Sequence, residues 1–501
     1  MKKIIILLLS IVIVSCSKYL EEDLLTNPSL NGLTTEDDVK AALTGAYAGL
    51  LGSSNPGYYG RNYLYLREVP TDNLFGTGAR KDFDNFVGLG TSNSVVVNTY
   101  NDIYAMILKA NLLVDNVDNA NIDEDLINWY KAQAQFLLAL GYSDLTSLFG
   151  EVVLITSSVN DIEEKPSRTS VEEVEQYILA LLEEAIPHLD KEDAENLPGA
   201  ATLGAGYALK MKLHLKRKEW AKVEETADLI MGLGRYNLLP NIEDLYTIGN
   251  SFNEEIIFSV KTTGDPYGKS LNALAAGSTD IAQHQYDGQN DYWGFGTFRG
   301  ELKVYYSYDP ADDRFTKLFR HSFIDRKGKT VGPKTLDNKN NPDVNKSLPY
   351  IYSEKYPHPL AGTATDLRTD IYHGSTLFVS RYAEVLLAKA EALNEINGPS
   401  QEVFDLINEV RNRANLSNLE TTGSFDQTSL RDAIFQERQW EFYMEGYRRD
   451  DLIRQGTFVD KVRHSHLKST DLIDVQECHQ LFPIPEIERS LNKNLTQNEC
   501  Y

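Results

Sequence analysis

The sequence predicts a mainly α-helical scaffold of paired, tetratricopeptide-like helices that carries one loop-rich insert and few short strands. Three observations point there. Apolar residues recur at helical spacing through the first half of the chain and again after about residue 376. Short helix pairs with small residues at their crossing occur in both parts. Between them, from about 264 to 374, periodicity gives way to Gly, Asn, Asp, Pro and Tyr.

In order along the chain, Lys2 and Lys3 precede an apolar run, Ile4 to Val14, broken only by Ser10. The run is shorter than the roughly 20 residues of a membrane span and has the form of a secretory signal. Ile13-Val14-Ser15-Cys16 resembles a bacterial lipobox. We expect residues 1–15 to be removed, Cys16 to be acylated, and 16–33 to form a tether. Two or three acyl chains anchor firmly, because each buried CH₂ contributes about 0.8 kcal/mol.

Residues 34–262 read as a helical region. TTEDDVKAALTGAYAGLL opens on a capping box, Thr35 with Asp38. It sets Val39, Leu43, Ala46, Tyr47 and Leu50 on one face. TYNDIYAMILKANLLVDNV follows, with Ile103, Ile107, Leu108 and Leu112 expected inward. A long helix, EDLINWYKAQAQFLLALGYSDLTSLFG, ends at Gly150. SVEEVEQYILALLEEAIPHL begins with a second capping box, Ser170 and Glu173, and carries the stripe Val174, Tyr177, Ile178, Leu181 and Leu182. Leu203, Tyr207, Met211 and His214 share the next face, and Trp220, Val223, Ala227 and Ile230 the one after. EEIIFSVKT, 254–262, reads as a short strand.

Residues 263–501 hold the insert and then helices over about 376–456. A connection this long is usually functional or disordered, and its aromatic content argues for order. RYAEVLLAKAEALNEI, with Tyr382, Leu386, Ala390 and Leu393, and SQEVFDLINEVRNRANL repeat the helix pair without a strict 34-residue period. Stacked pairs of this kind make a rigid scaffold for long loops.

The chain of 501 residues has 49 basic and 73 acidic residues, a net charge of −24. That excludes binding nucleic acid or anionic lipid through bulk charge. Its 28 tyrosines offer flat apolar faces with polar tips, suited to polar ligands in water. Besides Cys16, only Cys478 and Cys500 are present. In an oxidising compartment they either pair and staple the tail or remain two thiols.

Glu437 to Arg454 imitates a catalytic centre, with carboxylates and arginines close in sequence. Glu437, Glu441 and Glu445 recur every four residues, with Arg438 three before Glu441 and Glu445 three before Arg448. That spacing favours local ion pairs on one helix ending at Gly446. GFGTFRG, 294–300, lacks the strand–helix frame of a phosphate loop. The nine histidines are scattered without zinc-ligand spacing, and no Gly-x-Ser-x-Gly elbow occurs. No cofactor and no metal is expected, and the protein is expected not to be an enzyme.

Two loop stretches concentrate rings and polar groups. NPGYYGRNYLYLREVPTDNLFGTGARKDFDNF offers Tyr58, Tyr59, Asn73 and Arg80. HQYDGQNDYWGFGTFRGELKVYYSY offers Tyr286, Asp291, Tyr292, Trp293 and Arg299. Asn101, beside Tyr100, is a further candidate. A sugar has apolar C–H faces and a polar rim, so a ring can cover the face while Asn, Asp and Arg bond the hydroxyls. The same rings serve equally to pack the insert on the scaffold or to contact a protein partner. Tyr65 and Phe75, within apolar patterns, are expected to be buried.

Four stretches together resemble the SusD/RagB family of Bacteroidetes outer-membrane lipoproteins. They are the lipobox with the acidic Glu21, Glu22 and Asp23 behind it, RYAEVLLAKAEALNE with LINEVRNRANL, ERQWEFYMEGYRRDDLIRQG, and LFPIPEIERSLNKNLTQNECY. In the third, Glu437, Arg438, Glu441, Glu445, Gly446, Arg448, Asp451, Leu452 and Arg454 match the family's spacing. The family's Pro-Gly-Tyr ending is replaced by Glu499-Cys500-Tyr501. The resemblance implies a SusD-like fold, a lipid-anchored position on the cell surface, and a SusC-like TonB-dependent transporter as partner. It implies capture of an oligosaccharide, or of a peptide in some branches, without cleavage. A glycoside hydrolase would instead need two converging carboxylates about 5–5.5 Å or 6.5–9.5 Å apart, one with a raised pKa.

Overall fold

The computed structural model describes residues 32–501 apart from 53–56, 77–80, 160–164, 193–196, 248–249, 251, 262–297, 326–327, 357–375, 421–424 and 467–472. The signal run and Cys16 lie outside the described residues, as do Arg80, Tyr286, Asp291, Tyr292 and Trp293.

Helix α1, Glu36–Ala48, starts where its capping box places it: Thr35 and Asp38 satisfy each other's backbone N–H. Helix α2, Ser94–Asn116, begins earlier than its apolar pattern, because the Asn93 side chain accepts from the Val95 N–H and caps it. Its inward line runs through Ile103, Met106, Ile107, Ala110 and Leu113. Leu108 is 50% exposed and Leu112 half-buried. At 3.6 residues per turn they sit about 140° and 180° around the helix from Ile103. The expected inward stripe is corrected accordingly.

Helix α3, Glu124–Phe149, stops at Gly150, whose φ of +73° suits a residue without a Cβ. From Ala132 to Tyr142 every side is buried, which makes it the central rod. It packs between α2 and helix α4, Val171–Ala185, itself begun by the Ser170–Glu173 capping box. Helices α5, Leu203–Lys216, and α6, Trp220–Gly232, form the first tetratricopeptide-like pair.

Strand β1, Leu74–Phe75, lies in the first half. Strand β2, Ile256–Lys261, follows α6, and β3, Arg299–Gly300, lies within the insert. A small mixed sheet follows: β4, Phe323–Ile324, antiparallel to β5, Thr330–Pro333, which runs parallel to β6, Lys346–Leu348. Strand β7, Thr376–Arg381, pairs antiparallel with β2, so Lys261 faces Thr376. This clasp explains the missing repeat period. The chain leaves the scaffold at β2 and returns at β7, and helix α7, Tyr382–Asn397, then packs on α6 as though nothing intervened. Helix α8, Gln401–Arg413, completes the second pair.

Helix α9, Gln427–Glu441, ends before Gly446, contrary to the pattern. The chain turns at Phe442–Glu445, where the Glu445 N–H donates to the Phe442 carbonyl (3.0 Å). Gly446 follows at φ +86°, and a Cβ there would stand 2.1 Å from the Tyr63 ring. Helix α10, Arg448–Arg454, follows. One apolar cluster runs through both halves, from Leu33 to Ile484. A disulfide joins Cys478 to Cys500, Cα to Cα 5.9 Å, and closes the tail.

Candidate functional site

The acidic segment is an interior ion cluster. Arg381, at the end of β7, is fully buried and reaches Glu255 (2.8 Å), Glu441 (2.6 Å) and Glu445 (2.7 Å). Arg314 joins Glu437 (2.7 Å), Glu441 (3.0 Å) and Asp312 (2.8 Å). Arg413 pairs with Glu255 (2.9 Å) and Glu441, and Lys355 with Glu445 (2.6 Å). The local pairs expected from spacing do not form. Arg438 binds Asp451 (2.9 Å) and Arg448 binds Asp72 (2.7 Å). Because α9 ends at Glu441, Glu445 and Arg448 do not share a helix, and Glu441 turns to arginines from three other segments.

Burial works to raise the Glu441 carboxyl, but Arg413, Arg381 and Arg314 outweigh it and hold it well below the usual carboxylate range. Burial likewise opposes ionisation of Glu445, and Arg381 with Lys355 prevail and lower it. A general acid for glycoside cleavage needs the opposite shift. Glu68 has that shift: burial pushes it up to about 7, against the Asn73 amide and the Gly446 N–H. Glu68 is sealed in the interior, 0% exposed.

Three sequence candidates are also interior. Tyr58 and Tyr59 are each 1% exposed. The Tyr59 hydroxyl donates to Asp144 (2.6 Å), and Arg67 Nε donates to the Tyr58 hydroxyl (3.0 Å). Arg67 also bridges Asp144 and Asp450, both at 2.6 Å, so the two tyrosines complete a buried charge group that ties α3 to α10. Asn73 donates to Glu68 (2.9 Å) and accepts from Gln439 (2.9 Å). These placements correct the expectation of solvent-facing loop contacts. Tyr65 is buried against Phe298, ring centroids 5.1 Å apart.

What remains on the surface is assembled by one short pairing. β1 and β3 run antiparallel with Phe75 opposite Arg299. That register joins the two ring-rich stretches, which lie far apart in sequence. The Arg299 guanidinium carbon sits 4.2 Å from the centre of the Tyr350 ring. Phe75 meets Tyr350 at 5.8 Å and His466 at 6.3 Å between ring centres. Phe75, Arg299, Tyr350 and His466 are all half-buried. Phe75, expected in the core, thus presents part of its ring. Tyr286, Asp291, Tyr292 and Trp293 lie outside the described residues. Tyr350 and His466 were not legible as site residues, since nothing local marks them. A patch of rings and one cation can lie against the apolar face of a polar-rimmed ligand.

Asn101 belongs elsewhere. It is exposed on α2 beside a groove of about 480 Å³ lined by Tyr100, Tyr104, Lys165, Glu488 and Asn492. Tyr100 and Tyr104 stand 4.7 Å apart there, and the Tyr104 hydroxyl donates to the Val153 carbonyl (2.9 Å).

Residues 254–501 match the model of the SusD family, and residues 58–215 match one described as starch-binding associating with outer membrane. The chain belongs to the SusD/RagB family. SusD-like protein P2 of Formosa agariphila is 29% identical over 99% of this chain and 98% of its own length. The starch-binding protein SusD of Bacteroides thetaiotaomicron is 26% identical, covering 89% of this chain and 86% of its own. A surface glycan-binding protein A from Bacteroides thetaiotaomicron, solved in complex with laminarihexaose, shares the fold. Its TM-score is 0.71 at 20% identity, over 93% of this chain and all of the other. The SusD/RagB body described here is mainly helical, and no helix among its described residues is long and apolar enough to cross a membrane.

Proposed function

We propose that this SusD/RagB protein is a cell-surface glycan-binding lipoprotein, acylated at Cys16, that captures an oligosaccharide and passes it to a SusC-like TonB-dependent transporter. The observation that carries the reading is the β1–β3 register. It sets Phe75, Arg299 and Tyr350 together on one half-buried surface. A half-exposed ring and guanidinium surface of this kind suits the stacked faces and hydroxyl rim of a sugar. The names of the relatives, starch-binding and laminarihexaose-bound, support a glycan as the ligand class. The protein binds without cleaving: its densest carboxylate group is held ionised inside the core by arginines. The lipid tether and the transporter rest on the lipobox and on family membership.

Calorimetry against malto- and laminari-oligosaccharides and a peptide panel tests the reading. We expect saturable binding of a glycan, weakened at least tenfold by Arg299→Ala, Tyr350→Ala or Trp293→Ala. Binding of peptides alone, or release of reducing ends from a glycan, would overturn it. Mass spectrometry of the membrane fraction should find the Cys16 thiol acylated. Arg80 and Asn101 are secondary candidates, and loss of affinity on mutating Asn101 alone would move the site to the α2 groove.

A further inference from the structure

Beside the platform, three side chains with metal-ligand chemistry converge from three distant parts of the chain. Asp84 lies in the short helix Lys81–Asn85, Glu301 directly follows β3, and His466 follows the short helix Phe458–Arg463. One donor atom from each lies within 4.8 Å of the other two. His466 Nδ1 stands 2.8 Å from Glu301 Oε1. Asp84 is 8% exposed and Glu301 2%. Asp84 Oδ1 is buried and has no hydrogen-bond partner among the described residues. An ionisable oxygen placed so is costly unless something compensates it.

We propose that Asp84, Glu301 and His466 form a binding site for a divalent transition-metal cation of the Zn²⁺ class. Two carboxylates match the charge of a divalent ion taken out of water. The imidazole selects against Ca²⁺ and Mg²⁺, which take oxygen donors, and for the borderline ions that accept nitrogen and oxygen together. Zinc bonds of about 2.0–2.2 Å put tetrahedral donors about 3.4 Å apart, so the cluster needs only a small adjustment. His466 is the outermost of the three, with its side chain 30% exposed, and gives the ion its entry. Binding at Nδ1 replaces the His466–Glu301 contact by bonds from both residues to the ion. The ion fixes the imidazole that Phe75 rests against. The three ligands stand too far apart in sequence for any spacing motif to reveal them, which is why the sequence predicted none. A second group of donors, Cys478, His479 and Cys500, has its sulfurs joined in the disulfide and serves as a control.

The test is calorimetry of chelator-stripped full-length mature protein with ZnCl₂, with Co²⁺ as a visible reporter of coordination. It requires no glycan and stands apart from the ligand reading. We expect one ion per chain, affinity weakened at least tenfold by Asp84→Asn and by His466→Gln, and no change in His479→Ala. Circular dichroism confirms that each variant is folded, and His466→Gln at a half-buried position guards against misfolding of the Asp84 variant. Absence of saturable binding at millimolar Zn²⁺ overturns the proposal. So does binding that survives in both site variants, binding lost in His479→Ala, or preference for Ca²⁺ over Zn²⁺.

Discussion

The ion cluster around Glu441 and the β1–β3 platform use the same residue types, arginine and aromatic rings, to opposite ends. In the cluster Arg381 lies 4.7 Å over the Phe442 ring and is bracketed by Glu255, Glu441 and Glu445 with no exposed surface. On the platform Arg299 lies 4.2 Å over Tyr350 and is half-buried. A guanidinium over a ring is therefore not a signature of either role. Burial decides: inside the core the charge must be matched by carboxylates, and at the surface water shares the task.

The comparison breaks most severely at Arg381. Arg381→Met removes the cation shared by Glu255, Glu441 and Glu445 and leaves only Arg413, Arg314 and Lys355 to match them, and we expect a loss on the order of 3–5 kcal/mol, read by denaturant unfolding. A loss under about 1 kcal/mol would mean that water reaches the cluster and that the two regions are alike.

A second handle is Glu68, which is buried against the Asn73 amide and the Gly446 N–H and whose pKa moves up rather than down. Its folded value, about 7, exceeds the ordinary value of 4.5, so between those pH values the native state binds the proton more tightly. Stability is then fully present below about pH 4.5 and falls as pH rises through 7, by about 3 kcal/mol for this group. Glu68→Gln should flatten that part of the pH profile while keeping an acceptor for the Gly446 N–H. The Glu441 and Glu445 carboxyls, shifted down, contribute with the opposite sign and lose their stabilisation only as pH falls below the ordinary carboxylate range.

Gly446 joins the two halves, donating to Glu68 (2.6 Å) beneath the Tyr63 ring. Gly446→Ala meets both a left-handed φ and the ring, and we expect a loss of about 2 kcal/mol in the melting equilibrium. At the platform the effect on folding is smallest. Arg299→Ala and Tyr350→Ala should change stability by less than about 1 kcal/mol, since both are partly in water. Ligand affinity is where they register, and equal losses of fold and affinity would make the platform a packing feature.

Much of the scaffold was legible because its signals are local. The Thr35 and Ser170 capping boxes, the stop at Gly150 and the strand at β2 all depend on residues within a few positions of each other. The inward line of α2 was misassigned because Leu108 and Leu112 are apolar yet lie on the wrong side of the turn. The ion partners were misassigned for a different reason. Spacing shows which charges share a helix, and here the helix stops at Glu441, so Arg438 and Arg448 find Asp451 and Asp72. Of the candidate binding residues, Tyr58, Tyr59 and Asn73 look like loop contacts in a tyrosine-rich stretch, and only their partners Arg67, Asp144 and Glu68 reveal them as interior.

By itself, then, the sequence determined the helices, their caps, the helix-pair scaffold and the family, since periodicity and capping act over one or two turns of chain. Tertiary structure alone decided which arginine meets which glutamate, which tyrosines face water, and that Phe75 lies against Arg299. Those outcomes depend on pairings between distant residues, more than a hundred positions apart in the β2–β7 clasp, where the free energy comes from burial shared by segments that carry no local trace of one another.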